Sequence, residues 1–347
     1  MKPIFNTAIT IILLITAFNC SDTGVNPQPQ PGRRDYTWTI DTVNSDPYKT
    51  LLRLWASSPT DVWVTGIGGD FAKDIFHFDG NSWTTHGKFE SYSYQPNSIY
   101  GFGPNDIYVG CVSGRIYNYD GNSMKEVTAL TKNGHSDIVF GNMWGDSPND
   151  LYATGAYPDS SGYNNNSVIA HFTNGQWSML NTDGLKGLIA YLYVNNIEMK
   201  MYVQSYRFGG GQYPDSSLIY EYSQGKYNEL YSGVWTQGYQ SNLSLINGNV
   251  YFILGNEIAK RENNQFQTVL KVNNTNFYQR IWGRNNEDIF LMMTDGLAHY
   301  NGTDIQYLFH YPFHTQVFGA ALFKNDVFFL IYESQTGLSL VYHGKLK

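Results

Sequence analysis

Trp144-Gly-Asp-Ser-Pro-Asn-Asp150-Leu-Tyr-Ala-Thr-Gly155 is the stretch from which the rest of the chain can be read. It recurs as Trp55-Ala-Ser-Ser-Pro-Thr-Asp61-Val-Trp-Val-Thr-Gly66, as Tyr100-Gly-Phe-Gly-Pro-Asn-Asp106-Ile-Tyr-Val-Gly110 and as Trp282-Gly-Arg-Asn-Asn-Glu-Asp288-Ile-Phe290. Shorter copies stand at Leu245-Ile-Asn-Gly-Asn249-Val-Tyr-Phe252 and Leu322-Phe-Lys-Asn-Asp326-Val-Phe-Phe329, and a degenerate one spans Tyr193 to Tyr202. Each copy places a tight-turn sequence between two runs rich in aromatic and β-branched residues. That is the pattern of two strands joined by a turn.

A second signal follows each copy. A bulky residue closes one strand, a polar turn follows, and another bulky residue opens the next strand five positions on: Phe78/Trp83, Tyr119/Met124, Phe172/Trp177, Tyr222/Tyr227, Arg261/Phe266 and Tyr300/Ile305. The turns Asp79-Gly-Asn-Ser82 and Asp120-Gly-Asn-Ser123 carry hairpin chemistry. From Phe78 to Tyr342 the unit advances by about 44 residues at a time, the length of a four-stranded propeller blade. The expected fold is therefore all-β, a single β-propeller of seven four-stranded blades over residues 35–347. The last copy stops at Lys347, before its fourth strand. Tyr36–Val43 has the alternation to supply that strand, with Trp38 matched to Trp83, and closing the ring in this way removes exposed sheet edges.

The third copy, with His171-Phe-Thr-Asn-Gly-Gln-Trp177, resembles the Trp-Gly-x-Ser-Pro-Asn-Asp repeats of bacterial secreted β-propellers. The resemblance covers roughly residues 36–347. It implies architecture and leaves activity open, because propellers carry many unrelated functions.

Ahead of the repeats, residues 1–20 form a targeting segment. Lys2 precedes the apolar run Ile9–Phe18, which ends in Ala17-Phe-Asn-Cys20. This resembles a bacterial lipoprotein signal of the relaxed Bacteroidota type, which implies acylation at Cys20 and an anchor in the cell envelope, at the outer membrane. Residues 21–34, rich in Pro and polar side chains, are expected to be a tether. The only other cysteine, Cys111, lies in a strand expected to be buried, so no disulfide is expected.

Composition narrows the function. Charged residues are 15% of the chain, aromatic residues 16%, and the formal charge is −7 with no cluster of Lys and Arg, which argues against nucleic acid as a partner. The repeated aspartates Asp61, Asp106, Asp150, Asp288 and Asp326 are expected to cap their own turns. His77, His171 and His299 share one repeat position and are expected to be scaffold. His310 and His314 flank Pro312 in a loop with no acidic or thiol partner nearby, so no metal and no cofactor is expected. Asp79-Gly-Asn-Ser-Trp83 resembles in part the aspartate box of sialidases, but it lacks the leading Ser, and no set of arginines at matching blade positions is apparent. No catalytic residue is assigned.

The two faces of the ring differ in sequence. Turns between first and second strands and between third and fourth are short and stereotyped, whereas the other connections are long and aromatic. Ligand contacts are expected there, at Tyr92, Tyr94, Tyr157, Asp159, Tyr213, Asp215, Trp235, Tyr239, His310 and His314, with the pentapeptide Tyr-Pro-Asp-Ser-Ser shared by residues 157–161 and 213–217. The expected function is a monomeric, lipid-anchored binding or scaffolding module for a glycan, peptide or envelope protein. The alternative is a carbohydrate-active hydrolase or lyase using the same face.

Overall fold

Each hairpin found in the sequence is a real antiparallel pair, and the pairs join into sheets of four strands. The computed structural model describes residues 31–44, 46, 48–68, 74–86, 95–195, 198–237, 240–311 and 315–347. Blade one contains β2 (Lys49–Ser58), β3 (Asp61–Gly68), β4 (Ile75–Phe78) and β5 (Trp83–Thr85), and blade two β6 (Pro96–Gly103), β7 (Asp106–Cys111), β8 (Arg115–Tyr119) and β9 (Met124–Ala129). Blade three is β10 (Val139–Ser147), β11 (Asp150–Tyr157), β12 (Asn166–Thr173) and β13 (Gln176–Met179). Blade four is β14 (Leu188–Asn195), β15 (Lys200–Arg207), β16 (Ser216–Ser223) and β17 (Lys226–Val234). Blade five is β18 (Ser241–Ile246), β19 (Asn249–Leu254), β20 (Glu257–Glu262) and β21 (Gln265–Lys271). Blade six is β22 (Phe277–Asn285), β23 (Asp288–Met293), β24 (Gly296–Tyr300) and β25 (Ile305–His310). Blade seven takes β26 (Thr315–Leu322), β27 (Asp326–Glu333) and β28 (Leu338–Leu346), and its fourth strand is β1 (Tyr36–Asn44) from the start of the chain. The first strands of successive blades face one another around the axis and line the central channel.

The spacing of five is the register of the third and fourth strands. Phe78 pairs with Trp83, Tyr119 with Met124, Phe172 with Trp177, Tyr222 with Tyr227, Arg261 with Phe266 and Tyr300 with Ile305. In blade seven the residue opposite Tyr342 is Ile40, and Trp38 lies two positions further along, opposite Gly344. Gly344 follows His343 as Phe78 follows His77, so Trp38 holds the place of Trp83 as expected, and it is the third-strand aromatic Tyr342 that stands two residues before the matching position. The reason is steric: a Cβ on Gly344 would come within 2.7 Å of the Trp38 ring, so the glycine makes room for the indole, which packs edge-on against Phe309 at 4.8 Å.

Second strands are the most deeply covered, because each is flanked by sheet on both sides. β23 is buried along its whole length, and β3 and β11 nearly so. The core lies between blades as face-to-face layers, such as the cluster of Val62, Val64 and Phe76 against Phe328 and Leu330 where the first and last blades meet. Each such side chain contributes about 1.5–3 kcal/mol on burial. The glycines after the first-strand aromatics serve the neighbouring blade. A Cβ on Gly101 would stand 2.8 Å from the Trp55 ring, and one on Gly145 would stand 2.8 Å from the Phe102 ring.

The segment before β1 is tied to blade six. Gly32 donates its N–H to the Glu287 carbonyl at 2.8 Å, and Arg34 Nη1 donates to Asp304 Oδ1 at 2.9 Å. Both acceptors sit on the face of short turns, where β22 meets β23 and β24 meets β25.

Candidate functional site: the central channel

The repeated aspartates look toward the third strand, which corrects the expectation that they cap their turns. Asp61, Asp150, Asp288 and Asp326 each hold an oxygen 2.6–2.8 Å from Nε2 of His77, His171, His299 and His343 respectively. In blade two Asn118 Nδ2 donates to Asp106 Oδ1 at 3.1 Å in the same place. Three of these imidazoles stack on the second-strand aromatic beside them: His77 on Trp63, His171 on Tyr152 and His343 on Phe328, at 4.1–4.2 Å. The turn N–H groups are met instead by the residue three before each Asp, as Ser58 accepts from Thr60, Ser147 from Asn149 and Asn285 from Glu287. Blade four inverts the charges, with Lys200 in the Asp position and Glu221 in the His position, 3.4 Å apart. These pairs are scaffold, as the shared histidine position implied, and they engage the carboxylates that could otherwise have served a ligand.

Of the residues expected to contact ligand, Tyr92, Tyr94, Tyr239 and His314 lie outside the described residues. Tyr157 is buried, stacked on His135 at 4.4 Å, with its hydroxyl accepting from Asn133 Nδ2. Asp159 caps its own loop through the N–H groups of Ser161 and Tyr163. Tyr213 lies under the Arg207 guanidinium at 3.8 Å, and Asp215 accepts from the Gly209 N–H at 2.8 Å. The two pentapeptides are not equivalent in space, since the first begins the connection after β11 and the second leads into β16. Trp235 opens a short 3-10 turn and meets Tyr206 and Phe208 edge-on at 5.4 and 6.0 Å. His310 ends β25, exposed, stacked on Tyr307 at 4.0 Å and with Nδ1 3.8 Å from Asp295 Oδ2, which corrects the reading of a loop histidine with no acidic neighbour.

The channel is where unassigned chemistry gathers. A cavity of about 290 Å³, toward the short-turn ends of the inner strands, is walled by Trp55, Tyr100, Trp144, Tyr193 and Trp282. A second of about 120 Å³, nearer the long-loop ends of the inner strands, is bordered by Gln240, Asn242, Tyr278 and Gln316. Arg53, Tyr191, Arg280 and Phe318 belong to both. No Asp or Glu lines either cavity among the described residues.

Arg53 and Arg280 occupy one repeat position, two residues before Trp55 and Trp282, which corrects the reading that no arginines match between blades. The same layer continues as Ser98, Asn142, Tyr191, Asn242 and Gly319 in the other blades. Arg53 donates to the carbonyls of Leu52 at 2.8 Å and Gly141 at 2.6 Å, while its buried Nε has no acceptor. Arg280 lies over the Tyr191 ring at 3.8 Å and donates to Asn242 Oδ1 at 3.0 Å. Burial pulls the Arg53 guanidinium below its ordinary range, and the charge of Arg280 adds to that. A bulge precedes Arg280, with Gln279 in the left-handed region at φ 47°, and it re-aims the strand at this point. The two-residue offset from the repeat Trp was the sequence signal for this pair.

No family model matches the chain, and no curated protein matches it. Solved structures do. YCF48 bound to D1 peptide is similar at 14% identity and a TM-score of 0.61, covering 92% of this chain and all of that one. The extracellular domain of a hybrid two-component system of B. thetaiotaomicron is similar at 12% identity and a TM-score of 0.60, covering 88% of this chain and 39% of that one. The WD40 propeller domain of Doa1 is similar at 11% identity and a TM-score of 0.55, covering 86% of this chain and 93% of that one. At these identities the likeness establishes the propeller fold.

Proposed function

We propose that the chain is a lipid-anchored, extracytoplasmic binding propeller that holds its ligand, a glycan, peptide or envelope protein, at the long-loop mouth of the central channel. The observation that carries this reading is the channel itself: aromatic faces and arginines held on rigid inner strands, with no carboxylate among the described lining residues. Aromatic walls with a few placed polar groups suit recognition, whereas glycoside hydrolysis needs a pair of carboxyl groups across the bond. The similar proteins also include one solved with a peptide. The test is a glycan and peptide array probed with the full chain in detergent, wild type against Trp282→Ala. Ligands retained by wild type and lost by the variant support the channel, and equal retention by both places binding elsewhere.

A further inference from the structure

Two guanidinium groups share one layer of the channel, and neither has a carboxylate partner among the described residues. Every other described arginine except Arg207, which covers the Tyr213 ring, pairs with an acidic group: Arg33 with Asp35, Arg34 with Asp304, Arg115 with Glu126, Arg261 with Glu221 and Arg284 with Asp288. Among the described residues, the neighbours of Arg53 and Arg280 are carbonyl, amide, hydroxyl and ring groups. Like charges brought together away from bulk water are unfavourable unless an anion accompanies them. A protein of net charge −7 whose described channel residues leave this pair uncompensated has kept a place for an anion.

We propose that Arg53 and Arg280 receive the carboxylate of a compact acidic sugar, the ring of which stacks on the aromatic wall. This deepens the binding reading above and rests on it. Much of each guanidinium is already engaged, and what remains suits two oxygens in a plane, the geometry a carboxylate presents. The smaller cavity offers amides at Gln240, Asn242 and Gln316 to sugar hydroxyls, and the volumes accommodate one or two sugar rings, whereas a polymer would have to thread.

The experiment titrates the full chain in detergent by calorimetry with sodium glucuronate and sodium galacturonate, and with the glucuronate methyl ester, glucose and inorganic phosphate as controls. A uronate should bind saturably, with the ester, glucose and phosphate at least about tenfold weaker. Arg280→Gln should weaken the uronate by about thirtyfold or more, with Arg280→Lys intermediate. Melting temperatures show which variants fold, and the ester comparison on wild type needs no variant at all. Uronate binding no tighter than the ester or phosphate, or no uronate binding, overturns the assignment. An array ligand that depends on Trp282 but is indifferent to Arg280→Gln would leave the channel reading standing and remove the acid from it.

Discussion

His299 holds its Nε2 2.8 Å from Asp288 Oδ1, with the imidazole wholly buried. Its Nδ1 faces Arg34 Nε at 3.3 Å, and a guanidinium can only donate. Nδ1 is therefore the acceptor and Nε2 carries the proton. The neutral tautomer is fixed from both sides, by blade six and by the segment that precedes β1. Arg284 completes the group by donating to both Asp288 oxygens.

This group gives the protein an acid limit. Burial holds the His299 imidazole below its ordinary pKa, with Asp288 pulling the other way. Burial pushes the Asp288 carboxyl up, but hydrogen bonds from His299 and Arg284 outweigh it and leave the carboxyl below its usual range. A depressed histidine means that the unfolded chain takes up the proton first. Its contribution is whole above about pH 6.5 and drains as the pH falls toward the folded value. The Asp288 contribution persists until lower pH, as the pH falls through the folded carboxyl pKa. Melting temperature should fall between about pH 6.5 and 5 more steeply in wild type than in His299→Asn. Parallel curves would contradict this.

The aspartates should not be equal in cost. Asp288→Ala leaves Arg284 and His299 without their acceptor in a covered site and should destabilise by about 3 kcal/mol. The Asp150 side chain, 40% exposed and without an arginine partner among the described residues, should cost about 1 kcal/mol on the same change. Urea unfolding of the two variants reads the ranking directly.

Gly145→Ala should lower stability by about 2 kcal/mol through overpacking, because its Cβ would lie 2.6 Å from the Asp150 carbonyl and 2.8 Å from the Phe102 ring. Gly103→Ala meets nothing within 4 Å and should be neutral, which makes it the matched control in thermal melts.

Ring closure can be tested within one strand. Trp38→Ala removes an indole packed against Phe309 and Phe329 and should cost about 3 kcal/mol. Ile40→Ala, two residues along the same strand at a side chain 55% exposed, should cost less than about 1 kcal/mol. The reverse order would show that the indole is not what holds β1 in the ring.

The proposed anchor predicts that an alkyne fatty acid labels the wild-type chain in cells and leaves Cys20→Ala unlabelled. Equal labelling of both would remove the anchor.

The architecture was legible because a repeat compares like with like. Spacing of five became register in six blades, and the unfinished last copy pointed to β1. The site was far less legible, for the same reason. The channel layer of Arg53, Ser98, Asn142, Tyr191, Asn242, Arg280 and Gly319 is where the copies differ most, so a search for sameness passes over it. Side-chain direction was hidden too. Nothing in Pro-Asn-Asp tells whether the carboxylate turns back to its own N–H groups or across to a histidine on the next strand. The shared pentapeptide misled because identical residues were placed at opposite ends of two connections.

The bonds of Gly32 and Arg34 to the turns of blade six give the molecule a heading. They fix the point where the chain leaves the ring on the short-turn side. A lipid upstream of that point would seat the propeller with its short turns toward the bilayer. The channel mouth would then look outward, away from the lipid headgroups, toward whatever diffuses past the surface.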